Sequence, residues 1–414
     1  MSKFIFLKIY YFLSLILLLL LFLIQKIILI RIGYYYKNKI GHSVGNTQIY
    51  LFKKKLRKKF NLKKNSLFEI DLWIAKNKSI YPIIDNFYKE KIIMLPQILL
   101  LGAYNLCNKY YFFRKFLITE HDWGMDFYNL NYKNKLGSIL NKNQDEYALT
   151  QLKKISIYAE DKIICFINRN NFFNKNIMKD NTLLKINEYR NSDFSDYLPA
   201  AKYLSNKGYK IVRMGSHDKN FKSKNVINYT SSKFNNLIID IFLLKKADLI
   251  ISSGTGIDLL AYYFFKKPIC YVNLVPYLNI QTCKFSAKGV FLTKKLVKEK
   301  KLLSLKEIAH NHFFKVGSKL YEHAGIKLLN NSKKEILECV KEFYKLNIEN
   351  YKYKKKEIVL QKKFYKIINY ELYKNKNYET LLGSYNNVHL SLKQKPSANF
   401  SMYFLKNNSW FLKN

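Results

Sequence analysis

The chain has 414 residues, with 72 Lys and Arg against 29 Asp and Glu, a formal charge of +43 and 49% hydrophobic residues. That length allows two domains with sizeable cores. The positive charge is spread along the chain in step with abundant Asn, Ile, Tyr and Phe, so it points to anionic lipid or sugar phosphates and not to nucleic acid. Cys107, Cys165, Cys270, Cys283 and Cys339 form no CxxC or Cys/His cluster, which argues against a disulfide framework or a zinc site.

Residues 9–24 are a charge-free apolar run. With residues 4–7 before it and 27–30 after it, the apolar reach is enough to span a bilayer. No small-residue cleavage site follows, so the sequence predicts a retained anchor over residues 1–32 and not a removed signal peptide. Lys26, Arg31, Lys37 and Lys39 follow the run, against Lys3 and Lys8 before it. That bias favours a cytoplasmic body; a helix lying in one leaflet is the alternative.

Residues 39–47, KIGHSVGNT, read as a turn entering a regular element, either a functional loop around His42 or a plain connection. The basic run 53–64 is a solvated helix face or a headgroup contact. Residues 67–75 and 92–101 are apolar and expected in a core. His121-Asp122-Trp123-Gly124 is a polar cluster, structural or facing a cleft. A helical pattern runs over 145–157.

Residues 162–167 predict a strand with Arg169 just past its end. Tyr189-Arg190-Asn191-Ser192-Asp193 precedes a helix over 195–207, closed by Gly208. Residues 209–212 form the next strand, and Arg213 follows it. Residues 236–246 predict a helix and 247–252 a strand buried on both faces. Ser253-Gly254-Thr255-Gly256 then leads into a helix over 257–265 and a strand over 269–272. In a parallel sheet the ends of these strands converge on one edge. Arg169, Arg213 and the helix N-terminus behind the glycine loop therefore suit a diphosphate, with structural ion pairs and a simple tight turn as the plainer readings. Ser304/Glu307 and Ser332/Glu335 are capping boxes that start helices.

The segments IGHSVGNTQIYL, YRNSDFSDYLPA with GYKIVRMGS, the glycine loop with FKKPICYVN, and AGIKLLNNSKKEI together resemble a bacterial glycosyltransferase family of surface-polysaccharide clusters. The resemblance runs from the anchor nearly to the C-terminus, and YRNSD followed by GYxxxRMG is its most specific part. The arginines after strands also resemble fucosyltransferases that bind a guanosine diphosphate sugar, without their fuller His-x-Arg signature.

The resemblance implies an α/β, GT-B-like architecture, two Rossmann-like domains facing a cleft and preceded by the N-terminal membrane helix. An acceptor domain would cover 33–158, a nucleotide-sugar donor domain 159–350, and a helical tail packing back on the body 351–414. The implied activity is transfer of a sugar from a nucleoside-diphosphate sugar to a surface-glycan or lipid-linked acceptor at a membrane. No Asp-x-Asp occurs, which favours holding the phosphates by arginines and backbone donors, with no metal and no cofactor. Arg169, Arg190, Arg213, Ser253, Gly254, Thr255 and Gly256 would hold the donor, with Glu322 on its ribose. His42 is the first choice of general base, since an unperturbed imidazole titrates near neutrality, and Asp193 is the second. Ser43, Gly45 and Asn46 would line the acceptor side. The contrasting class is a non-catalytic, membrane-bound polysaccharide-assembly or glycan-binding protein with the same fold.

Overall fold

The computed structural model describes residues 3–57, 66–75, 79–121, 124–134, 136–172, 175, 185, 187–215, 223–275, 277, 288–311, 313, 318–370 and 398–413. Residues 58–64 of the basic run 53–64, Asp122 and Trp123, Cys283 and the tail residues 371–397 lie outside the described residues. The chain divides into two compact units, Met1–Met125 and Asp126–Asn414.

The first unit begins with α1 (Lys3–Ile24) and continues through β1 (Ile28–Tyr35), α2 (Ile40–Lys55), β2 (Phe68–Ala75), α3 (Pro82–Lys89), β3 (Ile93–Pro96) and α4 (Gln97–Lys109), followed by a 3-10 turn, Tyr111–Phe116. Strands β1, β2 and β3 form a parallel sheet in that order. Helix α1 stops where the apolar run meets Gln25 and Lys26, and the Gln25 amide donates to the Phe22 carbonyl at 2.7 Å. The β-branched residues that follow favour a strand. Residues 28–30, counted by sequence toward the reach of an anchor, are thus the start of β1, and so is Arg31, counted toward its flanking charge. Arg31 is buried and meets Glu69 at 2.7 Å, Asp71 at 2.8 Å and Glu120.

A second difference concerns residues 40–47, which lie inside helix α2 and form no turn. Gly41 and Gly45 lower helix propensity, but every residue from Ser43 to Tyr50 is buried, and packing outweighs propensity. Gly124 permits a close approach to this helix, since a Cβ built on it would lie 3.0 Å from the Gly45 Cα.

The second unit opens with α5 (Leu130–Lys133) and α6 (Lys142–Lys153), then alternates β4 (Ile163–Ile167), α7 (Leu198–Ser205), β5 (Lys210–Met214), α8 (Leu237–Lys246), β6 (Leu249–Ser252), α9 (Asp258–Phe265), β7 (Ile269–Leu274) and β8 (Val290–Thr293). Strands β9 (Lys295–Lys298), β10 (Lys301–Leu302) and β11 (Ile326–Leu329) make a small antiparallel sheet. Helices α10 (Leu305–His310), α11 (Ser318–His323), α12 (Lys333–Asn347) and α13 (Lys355–Asn369) precede β12 (Asn399–Phe400) and α14 (Met402–Asn407). Residues 126–134 belong to this unit through buried Asp126, whose carboxylate accepts from the Leu130 and Asn131 amides and from the Tyr262 hydroxyl. The chain end returns as well. Strand β12 pairs with β8, and Phe364, Phe400, Phe404 and Phe411 pack ring against ring. Both capping boxes form, with Ser304 and Ser332 accepting from the Glu307 and Glu335 amides.

The main sheet is parallel throughout, in the order β12-β8-β7-β6-β4-β5. All five residues of β4 and all four of β6 are buried, as expected of strands covered on both faces. From β4 the chain crosses one way to β5, then back past β4 to β6. With right-handed crossovers, α7 and α8 fall on opposite faces. The direction reverses between β4 and β6, so the crevice outside their carboxyl ends is the topological switch point, where open parallel sheets take ligands.

Candidate functional site

Arg169 and the glycine loop occupy that switch point. The Arg169 amide donates to the Ser253 hydroxyl at 2.7 Å, joining the segment after β4 to the loop after β6. Arg190 arrives from the Tyr189-Arg190-Asn191 turn, and its Nη2 donates to the Gly254 carbonyl at 2.8 Å. Neither guanidinium is ion-paired with a carboxylate among the described residues, and each has a buried Nε with no hydrogen-bond partner there. Burial, and next the charge of Arg190, pull Arg169 down to about 9. Two like charges held together in a low-dielectric crevice are costly unless an anion joins them.

Lys294, which the sequence reading passed over, supports this arrangement. It is buried, and its Nζ donates to the carbonyls of Tyr189 at 2.9 Å and Asn191 at 2.6 Å, pinning the turn that carries Arg190. Burial, then Arg190, lower it to about 8. A lone Lys between two short strands gives no sequence signal; only the fold brings it under the turn.

The loop itself is less open than its sequence suggests. The Gly254 amide donates to the Ser252 hydroxyl at 3.0 Å, and the Thr255 amide donates to buried Asp258 at 2.9 Å. Ser252 also donates to Asp258, at 2.8 Å. The first carboxylate of α9 therefore already occupies part of the expected anion seat. Positive charge at this edge comes chiefly from Arg169 and Arg190. Gly254 has φ +81°, and a Cβ there would lie 3.2 Å from Leu274 Cδ1. We expect Gly254→Val to cost about 1–3 kcal/mol of folding stability, besides any loss of ligand binding. Chemical denaturation at wild-type stability would show that the loop relaxes without strain.

Arg213 lies within β5, near its end, is 5% exposed, and sets its guanidinium 4.5 Å from the Phe194 ring centre. It sits one strand outward from the switch point. Asp193 is exposed and caps the following 3-10 turn by accepting from the Ser195 amide at 2.8 Å. Glu322 is exposed on α11, beside Tyr321, whose ring packs 5.5 Å from that of Tyr189.

In the first unit, His42 lies on α2 with its ring 5.1 Å from Tyr36. Burial, then the charges of His42 and Lys53, lower His121 to about 4, so two imidazoles share this region and His121 is neutral near pH 7. Ser43 donates to the Lys39 carbonyl at 3.2 Å. Both polar atoms of the Asn46 amide and the Thr47 hydroxyl are buried with no partner among the described residues.

No family model and no curated protein matches this chain. Among solved structures it is similar to the glycosyl transferase family 9 from Veillonella parvula DSM 2008, at 12% identity and TM-score 0.37, covering 65% of this chain and 87% of that one. It is also similar to the iron-containing dodecameric glycosyltransferase TibC from enterotoxigenic E. coli H10407, at 10% identity and TM-score 0.32, covering 59% and 58%. A TibC heptosyltransferase complex with ADP-D-beta-D-heptose aligns at 12% identity and TM-score 0.31, covering 60% and 59%. Likeness at this level carries no functional weight; the chain's own residues must.

Proposed function

We propose that this protein is a membrane-associated, metal-independent glycosyltransferase that moves a sugar from a nucleoside-diphosphate sugar to a surface-glycan or lipid-linked hydroxyl. The observation that carries the reading is the meeting of Arg169, through its amide, and Arg190, through its guanidinium, with the 253–256 loop at the β4/β6 switch point, neither guanidinium ion-paired with a carboxylate among the described residues. In the reaction the bond from the anomeric carbon to the diphosphate oxygen breaks, and one to the acceptor oxygen forms. The leaving diphosphate gains charge, which the two arginines offset. The acceptor proton passes to a base, for which His42 is our first assignment and Asp193 our second. Asp193 already accepts a backbone hydrogen bond, which favours His42.

Turnover of a panel of nucleoside-diphosphate sugars by the full chain in detergent, with and without EDTA, tests the proposal. We expect turnover that survives chelation. Donor binding without turnover on any acceptor tried would favour the non-catalytic reading, and activity restored by Mg²⁺ or Mn²⁺ would remove the metal-independent one.

The depressed lysine adds a pH signature. An anion bound at this edge raises Lys294 from about 8 toward its ordinary value. Binding then takes up protons, so nucleoside-diphosphate affinity falls as the pH rises above about 8. Calorimetry in buffers of different ionisation enthalpy reads this directly. Affinity that is flat to pH 10 would place the diphosphate away from this lysine.

A further inference from the structure

We infer that α1 lies in the plane of one leaflet and that, together with α4 and the turn after it, it forms a single lipid-facing platform. The inference rests on the membrane association proposed above and is independent of the transfer chemistry. Helix α1 is long and apolar enough to cross a bilayer, but the first unit is built along its side. The Gly102 amide donates to the Tyr10 hydroxyl at 2.8 Å, and Asn105 donates to the Tyr11 hydroxyl at 3.0 Å. A Cβ on Gly102 would fall 2.2 Å from Ser14 Oγ, so only glycine admits α1 this closely. Leu18 and Leu21 are buried in a core shared with Ile74 of β2, Leu100 of α4 and Phe116. Phe22 stacks on Phe112 at 4.6 Å, with the Lys115 ammonium 3.8 Å from the Phe22 ring centre. The contact thus runs from Tyr10 to Phe22, roughly 18 Å of helix at 1.5 Å per residue.

A spanning α1 would carry these neighbours into the hydrocarbon. Asn105, bonded to Tyr11 near the middle of α1, would sit at the depth where polar groups are least tolerated. The edge strand β1, which starts four residues after α1, would bring an open three-stranded sheet with it, and open sheet edges do not occur there.

The opposite face of α1 is apolar and exposed, and α4 extends it with Ile98 and Leu99. Its flanks are aromatic and cationic: Lys8 lies over Phe4, Lys109 over Tyr110 and Arg114 over Tyr111. No Asp or Glu occurs in α1, α4 or the turn after α4. An apolar face with aromatic and basic flanks fits an interface rich in anionic lipid.

Phe6, Leu13 and Leu20 are spaced by seven residues on one side of α1 and are 56%, 57% and 55% exposed. Each is replaced by Cys, one at a time, in the otherwise intact chain carrying Cys283→Ser; the other four cysteines are buried. A thiol-linked fluorophore is then read in phosphatidylcholine vesicles with or without phosphatidylglycerol, using lipids quenched at known depths. We expect the same shallow depth at all three positions, and at least tenfold tighter association with the anionic vesicles, lost in high salt. A probe at Leu13 much deeper than those at Phe6 and Leu20 would mean that α1 spans, and would overturn the inference. No quenching by any lipid, with cross-linking between copies of the chain, would assign the face to self-association and overturn it equally. Equal association with neutral and anionic vesicles would refute the anionic-headgroup part. None of these readouts depends on sugar transfer, so failure of that reading is seen separately.

Discussion

Arg31→Met is expected to destabilise the first unit by about 3–5 kcal/mol, the cost of breaking a buried ion network on one side only. Arg31 is enclosed by Glu69, Asp71 and Glu120, all nearly inaccessible to water. Lys54 meets the other oxygen of Asp71 at 2.8 Å, Tyr50 donates to that oxygen, and Arg57 pairs with Glu69. Methionine fills much of the same volume but leaves three carboxylates facing Lys54 and Arg57 alone.

The effect has a pH signature of known sign. Burial by itself would raise Asp71, but its bonds to Arg31, Lys54 and Tyr50 outweigh burial and hold it at about 2, against an ordinary 3.8. A depressed folded pKa contributes stability that is complete above the unfolded value and is lost as pH falls through the folded one. In the wild type this contribution is therefore present above about pH 4 and gone near pH 2. In the variant, burial dominates and Asp71 takes up its proton at higher pH. The deficit should be largest near pH 7 and shrink on acidification. Chemical denaturation of the full chain in detergent at pH 7 and pH 3 measures it. An equal deficit at both would mean that Arg31 acts by packing alone.

Much of the second unit was legible because its elements carry local signals. Residues 163–167 and 249–252 are continuous apolar runs and are buried strands, and both capping boxes start helices. Gly208, read as a helix stop, has φ +85°. The first unit misled where tertiary packing outweighs local preference. Gly41 and Gly45 read as a turn but sit in a buried helix, and the apolar residues 28–30 read as membrane but pair with β2. Within the candidate site, Arg169 and the glycine loop are legible from strand ends, and Arg190 only from the YRNSD segment that carries the resemblance. Lys294 and Asp258 were not, since a single lysine or aspartate announces nothing until the chain folds around it. Their contributions run in opposite senses: Lys294 fixes the Arg190 turn, while Asp258 takes up loop donors that sequence reading left free for a ligand.

Arg169→Gln should weaken nucleoside-diphosphate binding by about 1.5–3 kcal/mol, the usual worth of a hydrogen bond to a charged group. That corresponds to roughly 10- to 150-fold in Kd. The same change should leave the ligand-free protein as stable as wild type or more so. It removes a cation disfavoured by burial and by Arg190 and breaks no ion pair among the described residues. A residue kept for structure would give the opposite result, lower stability with unchanged affinity. Arg190→Gln should weaken binding to a similar degree but also cost stability, because the Gly254 carbonyl loses a donor. Arg213→Lys tests the neighbouring strand: it keeps the charge and loses the planar fork over Phe194. Its effect on affinity should be the smallest of the three if the diphosphate sits at the β4/β6 switch point. Calorimetric titration with nucleoside diphosphates, paired with denaturation of the ligand-free variants, separates these outcomes. If Arg213→Lys proved the most damaging and Arg169→Gln silent, the anion would belong beside β5 and the assignment of the site would move with it.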